Sequence, residues 1–171
     1  VAASLAGLAS APGPGGVLGM ALHPQLLRNA GRDEVYVAVT YDDPSRPPDA
    51  RVTNPSSPFR RLYAKVIRLR YEPSTFALVD PVTILDGLPA GNDHLGLRLA
   101  FAPDGHIVYT ERPNGISVVN GNGTGRRLLL KPADLLVASE AGTMGMAMDP
   151  AFASNRQIYV CYASRAFGRS D

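Results

Sequence analysis

GVLGMALHP, residues 16–24, recurs as GTMGMAMDP at residues 142–150. The two segments match position for position in character, because each is an apolar run with small residues that ends at a proline. A looser copy, LAFAP, occupies residues 99–103 and is followed by Asp104 and Gly105. In all three places a second β-rich run containing tyrosine comes next. A repeat of this kind predicts one structural unit that occurs several times along the chain.

Short β-rich runs bounded by Gly, Pro, Asn and Asp continue throughout the sequence, and they fall into groups of four. Four-stranded units of about 40–50 residues, repeated with insertions, are typical of a β-propeller. We therefore predict an all-β fold with about two and a half four-stranded antiparallel blades, at residues 17–85, 97–130 and 143–163, the last being half a blade. A single irregular antiparallel sandwich is the alternative. The predicted strands are Val17–Leu22, Glu34–Thr40, Leu62–Tyr71, Phe76–Leu85, Leu97–Ala102, His106–Thr110, Gly115–Val119, Arg126–Leu130, Thr143–Met148 and Gln157–Ala163.

Two and a half blades cannot close a ring of about 4–8 blades. Its terminal blades would leave apolar faces and unpaired strand edges exposed. The sequence begins with Val1 and stops in the polar FGRSD. We therefore expect either a fragment of a longer propeller, completed by its remaining blades, or an obligate oligomer.

Propeller topology also predicts where a functional site lies. In each blade the first strand lies next to the central channel and the fourth is outermost. The segments that link one blade to the next then lie on the same face of the propeller as the loops between the second and third strands. Gly13–Gly16, Leu88–Gly96 and Ser139–Gly142 fall on that face. So does a long insertion from Tyr41 to Arg61, which contains five prolines. Such a loop is too long for a mere connection, so we predict a rim or lid over the channel; an unattached surface loop is the alternative.

Composition excludes several classes of protein. The 171 residues are 45% apolar and 19% charged, with a net charge of +2, which is ordinary for a globular protein. Basic residues are scattered rather than clustered, so nucleic-acid binding has no support. No segment approaches the roughly 20 apolar residues of a membrane-spanning helix. The single cysteine, Cys161, is predicted to be a buried strand thiol, and no zinc motif occurs.

The chemically informative stretch is LPAGNDHLGLRLAFAPDG, residues 88–105. It places Asn92, Asp93 and His94 in a loop at the predicted channel mouth, with Arg98 four residues further on. An imidazole beside a carboxylate is a competent general base, because the carboxylate orients the ring and stabilises its protonated form. Taken alone, the pair is equally explained as a turn whose polar side chains are satisfied locally.

The other two histidines lie elsewhere in the predicted blades. His23 occupies a turn where the repeat has Asp149, and we interpret it as a turn residue. His106 opens a strand on the face opposite the predicted mouth, and we interpret it as solvent-exposed. Neither is therefore a candidate for the site.

LPAGNDH, with the Arg-Leu strand and PDG that follow, resembles the stretch bearing the catalytic histidine in soluble PQQ-dependent glucose dehydrogenases and their glucose/sorbosone dehydrogenase relatives. GGVLGMALHP, LYAKVIRLRY and EAGTMGMAMDPAFASNRQIYV resemble the same family in the same order. The resemblance covers most of the chain. It implies a six-bladed propeller that, when intact, oxidises an aldose sugar at C1 to the lactone.

The resemblance also implies roles for individual residues. His94 would be the base that takes the proton of the anomeric hydroxyl, while the C1 hydride passes to PQQ held with Ca²⁺ over the channel. Asp93 would bind sugar hydroxyls or orient His94. Arg98 would contact the anionic cofactor, and the residues that ligate the metal are not identified. An external electron acceptor and a periplasmic or secreted location are implied as well.

The chain departs from the family pattern at three places. Leu97 replaces the glycine before the arginine, which would crowd the approach to the cofactor. Pro14 and Glu140 stand where the glucose enzymes have a glutamine before their Gly-Leu-Leu-Gly strand. The segment from Tyr109 to Gly115 resembles the family's opening blade, so the units follow one another in an unusual order.

Two further functions fit the same pattern. One is a non-catalytic propeller segment that binds a sugar or a protein on the mouth face. The other is a calcium-dependent propeller hydrolase. A dehydrogenase needs PQQ for sugar oxidation, a hydrolase turns over esters or lactones without a quinone, and a binding module is indifferent to PQQ.

Overall fold

The computed structural model describes residues 15–50, 52, 54–90, 96–138 and 141–165. The described residues form ten strands and one short helix. In chain order these are β1 Val17–Leu22, β2 Glu34–Asp42, β3 Leu62–Glu72, β4 Ala77–Pro89, β5 Leu99–Phe101, β6 His106–Glu111, β7 Gly115–Asn120, β8 Arg127–Leu130, β9 Thr143–Met148, α1 Phe152–Asn155 and β10 Ile158–Tyr162.

The strands form three antiparallel sheets in chain order. The first sheet has the order β1-β2-β3-β4, the second β5-β6-β7-β8, and the third pairs β9 with β10. Each strand in the two larger sheets pairs with the next one along the chain, as expected for consecutive hairpins. The described chain therefore consists of two four-stranded sheets and one two-stranded sheet.

The first strands of the three sheets lie side by side, since β1 contacts β5 and β5 contacts β9. Residues of β6 alternate between the two sides of their sheet. Ile107 and Tyr109 belong to a core shared with the first sheet, where Tyr36 and Leu62 are also buried. Val108 belongs to a second core, shared with β9 and β10. The sheets therefore pack face to face like blades around an axis, with β4 and β8 outermost.

Several strand ends differ from the sequence-based prediction, and one element was not predicted. β4 continues past Leu85 to Pro89, because its last residues pair with the beginning of β3. β5 begins at Leu99 rather than Leu97. The short helix α1 in the β9–β10 connection was not predicted; it has four residues, and no helix in the described ranges is long and apolar enough to cross a bilayer.

The prediction that Cys161 is buried is wrong, because its side chain is exposed. Cys161 lies in β10, where alternate residues point to opposite sides of the sheet. Ile158 and Val160 pack against the second sheet, so Tyr159 and Cys161 point away from it. Within the described part of the chain, no layer covers that side.

Candidate functional site

The first strands of the three sheets enclose an open depression of about 420 Å³. Its wall combines polar and apolar surface from β1, from the segment before β5 and from β9. The lining residues are Leu18, Gly96, Leu97, Arg98, Met144, Gly145 and Met146. The depression therefore lies where three sheets converge, which is the position of a channel in a propeller.

Arg98 is fixed at this depression by its main chain. Its amide donates to Thr110 Oγ1 at 2.9 Å, and the amide of Thr110 donates to the carbonyl of Arg98 at 3.0 Å. The same reciprocal pair occurs one sheet earlier, where Gly16 donates to Thr40 Oγ1 at 2.6 Å and the Thr40 amide returns a bond at 2.9 Å. Both threonines are fully buried. We call each pair a threonine clamp; it fixes the chain just before an innermost strand.

The side chain of Arg98 is exposed and is the only charged group among the residues that line the depression. His94 and Asp93, the predicted base and sugar ligand, lie outside the described residues, as do Asn92, Pro14 and Glu140. The structure therefore places the predicted cofactor contact at the convergence of the three sheets, and the two predicted catalytic-loop residues remain predictions.

Leu97 borders the depression, but its side chain is only 4% exposed and belongs to the core between the first two sheets. Its carbonyl oxygen is so close to β1 that a Cβ at Gly19 would lie 2.3 Å from it. Leu97 therefore fills the core between the sheets, whereas the sequence-based expectation was that it would crowd the approach to a cofactor.

The insertion between β2 and β3 is attached to the sheet rather than free. Arg46 bonds Asp43 at 2.9 Å and reaches Asp86 of β4 at 2.7 Å. The Tyr41 hydroxyl donates to the same Asp86, and the Arg46 guanidinium lies 5.4 Å from the centre of the Tyr63 ring. These contacts attach the beginning of the insertion to the first sheet, and its role as a rim or lid stays a prediction.

Two of these groups have shifted pKa values that favour the attached form. Burial, followed by the hydrogen bond to Asp86, raises the pKa of Tyr41 to about 12. The hydrogen bond from the Ser45 hydroxyl, with further bonds from the Ser45 amide and Arg46, lowers the pKa of Asp43. At neutral pH the phenol is therefore neutral and able to donate, while the carboxylate is charged and able to accept.

Glu111 is a buried acid that sequence reasoning missed. Its side chain is 2% exposed and accepts hydrogen bonds from Ser117 Oγ at 2.6 Å, Asn114 Nδ2 at 3.0 Å and Arg126 at 2.9 Å. A polar depression of about 350 Å³ lies beside it, lined by Glu111, Asn114, Ser117, Arg126, Arg127, Leu128 and Lys131. Because both carboxylate oxygens are engaged, we assign Glu111 a structural role that fixes the β6–β7 turn.

The other histidines lie at the end of the sheets opposite Arg98. His23 follows β1, accepts a hydrogen bond from the Gln25 amide at 3.2 Å, and contacts the Phe101 ring edge-on at 5.2 Å. His106 lies 3.0 Å from Asp104. Among the described residues, no group of three or more His, Cys, Asp or Glu side chains is arranged to hold a metal ion.

Comparison with known proteins finds similarity of three kinds. Residues 96–170 match the family model Glucose / Sorbosone dehydrogenase. Over 100 residues the chain is 34% identical to quinoprotein glucose dehydrogenase B of Acinetobacter calcoaceticus, a match that covers 58% of this chain and 18% of that protein. The fold matches a crystal structure from Thermus thermophilus assigned as an oxidoreductase (glucose dehydrogenase), with a TM-score of 0.56, 22% identity, and coverage of 88% of this chain and 46% of that one.

These matches confirm two predictions: the resemblance to the PQQ-dependent sugar dehydrogenases, and the all-β fold of four-stranded antiparallel propeller blades. The chain spans less than half the length of the solved relative and 18% of the curated one. The family match begins at Gly96, so it includes Arg98 and leaves out Asp93 and His94.

Proposed function

We propose that this chain forms part of the sugar- and quinone-binding face of a PQQ-dependent dehydrogenase that oxidises an aldose at C1 to the lactone. The observation that carries the proposal is the convergence of β1, the segment before β5, and β9 on one depression with Arg98 at its wall. The similarity to a family named for glucose and sorbosone oxidation and to a quinoprotein glucose dehydrogenase supports it.

The residues around the depression fit one edge of such a cofactor. PQQ is a flat anionic ring system, so its site needs cations and an apolar wall. Arg98 provides an exposed guanidinium, and Leu18 and Met144 provide apolar surface. Arg98 would hold a carboxylate of the cofactor, and the bound quinone would supply the hydride acceptor. For Ca²⁺ the described residues offer no matching group of ligands, and we assign none.

The proton step is assigned to His94. In our proposal a neutral imidazole nitrogen of His94 accepts the proton of the anomeric hydroxyl as the C1–H bond breaks and its electron pair leaves as hydride. Asp93 binds the sugar hydroxyls or holds the imidazole in the orientation that accepts the proton. Histidine suits this step because it changes protonation state near neutral pH. An external electron acceptor would complete the turnover.

We expect His94→Ala in the intact protein to lower sugar oxidation by about 10²–10⁴-fold, the usual contribution of a positioned general base. The measurement is sugar-dependent dye reduction in the presence of PQQ and Ca²⁺. His106→Ala is the matched control, because His106 lies at the opposite end of the sheets beside Asp104 and should leave the rate unchanged. Equal activity of His94→Ala and wild type would refute the assignment.

The same assay separates the alternative functions. A sugar- or protein-binding segment would bind its ligand whether or not PQQ is added, and His94→Ala would not matter. A hydrolase would turn over esters or lactones with Ca²⁺ alone. Absence of PQQ-dependent sugar oxidation in the intact wild-type protein would overturn the proposed function.

A further inference from the structure

The outermost strand of the second sheet, β8, has a free edge. It pairs with β7 on one side, and no strand in the described part of the chain pairs with its other side. All four residues of β8 are exposed, including three consecutive leucines, Leu128, Leu129 and Leu130. Such an edge offers unpaired backbone amides and carbonyls beside apolar side chains. β8 therefore presents a surface with which a further extended segment can pair.

The equivalent strand of the first sheet is protected against such pairing. β4 contains Pro81, which has no amide to donate, and its pairing with β3 is interrupted three times. Asp80 and Gly87 have φ values of +53° and +65°, which turn the backbone away from an extended conformation. β8 has no proline, no glycine and no positive φ, and its pairing is interrupted once, at Leu129. Prolines and bulges are common means of blocking an edge, and β8 has fewer of them than β4.

The exposed charges around β8 all have one sign. Residues 125–132, GRRLLLKP, contain Arg126, Arg127 and Lys131 and no acid. The acid of the adjoining depression, Glu111, is 2% exposed and is already paired with Arg126. Within the described ranges neither Arg127 nor Lys131 forms an ion pair. Two positive charges therefore remain uncompensated beside the exposed leucines.

The depression of about 350 Å³ beside Glu111 brings these cations together. Arg126, Arg127 and Lys131 all line it, with Leu128 between them. Leu128 pairs with Ser117 of β7, which lies on the side of the second sheet that faces the first. An acidic side chain on a segment that runs along β8 would therefore meet the cations at this depression.

Both ends of β8 are held by close approaches of the main chain. In the β7–β8 turn, Gly123 has a φ of +89°, and a Cβ there would lie 2.0 Å from the carbonyl oxygen of Ile84 in β4. At the other end, Gly115 has a φ of +101°, and a Cβ there would lie 2.1 Å from the carbonyl oxygen of Leu130. Only glycine allows these approaches. β8 is therefore ordered before any partner arrives, which lowers the entropic cost of binding.

We propose that β8 is a docking site for an extended acidic segment of a partner protein. The segment adds to the free edge as a further strand, and one of its carboxylates meets the cations that line the depression. A second copy of this chain does not suit the site, because pairing β8 with β8 would bring like charges together. The inference goes beyond sugar oxidation and is tested without sugar or cofactor, so its failure is distinct from failure of the proposed function.

The first experiment measures peptide binding to the intact protein by fluorescence anisotropy. The probe is a labelled peptide of about ten residues in which glutamate and valine alternate, so that every carboxylate lies on one face of a strand. The matched peptide has glutamine in place of glutamate. We expect the acidic peptide to bind about tenfold more tightly, and to bind less tightly as salt is added. Equal binding of the two peptides, or no binding of the acidic one at ~1 mM, would refute the proposal.

The second experiment removes the two uncompensated cations. Arg127→Ala combined with Lys131→Ala should weaken binding of the acidic peptide about tenfold. Arg126 is left in place because it neutralises a buried carboxylate. The matched control combines Arg28→Ala with Arg32→Ala, which removes the same charge from two exposed residues of the β1–β2 connection. The control should bind like wild type; equal weakening in both double variants would reveal an effect of net charge alone and overturn the site.

The third experiment locates the bound peptide by hydrogen exchange. The acidic peptide should slow exchange at residues 126–131 and leave β4, the protected edge, unchanged. Binding that leaves exchange in β8 unchanged would overturn the strand-addition geometry and with it the proposal.

A lipid surface is the competing partner for a basic and apolar strand. Vesicles of phosphatidylcholine with about one third phosphatidylserine test it by co-sedimentation. We expect the wild type to bind the acidic peptide and to stay in the supernatant with these vesicles. Vesicle binding that is lost when Arg127 and Lys131 are replaced, without binding of the acidic peptide, would overturn the proposal in favour of a membrane.

Discussion

Gly19 and Gly145 occupy the same position of the internal repeat, yet their surroundings differ. A Cβ at Gly19 would lie 2.3 Å from the main-chain oxygen of Leu97, whereas at Gly145 the nearest heavy atom is the Cβ of Cys161 at 3.8 Å. A main-chain oxygen cannot move without displacing its strand. Gly19 is therefore required by the close approach of β1 to the segment before β5, and Gly145 is not.

We expect Gly19→Ala to lower the free energy of unfolding by about 1–3 kcal/mol, the usual cost of overpacking a rigid contact. Gly145→Ala, its partner in the repeat, should change that free energy by less than about 1 kcal/mol, and in the stabilising direction. Urea denaturation of the two variants beside wild type makes the comparison. Equal losses in both would show that the approach of β1 to Leu97 is not what selects glycine.

Among elements, the threonine clamp fixes how an innermost strand begins. At the second sheet the Thr110 hydroxyl accepts the amide of Arg98 at 2.9 Å. Both residues belong to the segment where a blade reaches the channel, so the clamp sets the position from which the Arg98 side chain extends. If this buried amide loses its hydrogen-bond acceptor, the free energy lost when the amide left water is no longer offset, and the folded state is destabilised.

Thr110→Val should therefore destabilise the protein by about 1–3 kcal/mol and speed hydrogen exchange at the Arg98 amide. The control is Thr124→Val, because Thr124 is exposed in the β7–β8 turn and its hydroxyl bonds the neighbouring side chains of Asn120 and Asn122. It should cost less than about 0.5 kcal/mol. Unchanged exchange at Arg98 in Thr110→Val would contradict the clamp.

Strands were predictable from the sequence because apolar alternation and turn residues are local signals. The ends of the strands were harder to predict. β5 begins two residues later than expected because the Arg98 amide bonds a side chain. The tyrosines of the repeat also differ in register. Tyr36 pairs with Ala21 and Tyr159 with Ala147, which are equivalent positions. Tyr109 instead pairs with Leu99, the residue before the equivalent Ala100.

On the scale of the whole molecule, the sheets are joined by contacts that no local pattern predicts. The Tyr36 hydroxyl, in the first sheet, donates to Glu34 at 3.0 Å and lies 3.3 Å from the carbonyl oxygen of Gly121 in the second sheet, and its ring lies edge-on to Phe101 at 4.8 Å. The Arg46–Asp86 pair within the first sheet and the Glu111–Arg126 pair within the second also join residues that are distant in sequence. Periodicity in the sequence predicts which residues are buried. It does not predict which distant residues they contact after the chain has folded.

The inter-sheet packing predicts how the folded protein responds to alkali. Burial raises the pKa values of Tyr36 and Tyr109 above 10.0, and burial with the Asp86 hydrogen bond raises that of Tyr41 to about 12. Because the neutral phenol is favoured in the folded state, this stabilisation is complete below about pH 10 and is lost as the pH rises through the folded-state values. Tyr36 and Tyr109, which belong to the core between the first two sheets, should ionise only in the cooperative step in which the sheets come apart, followed by tyrosinate absorbance and circular dichroism together. Tyr36→Phe should remove one tyrosinate from that step; ionisation of the two buried tyrosines at about pH 10 with the sheet signal intact would contradict the shared core.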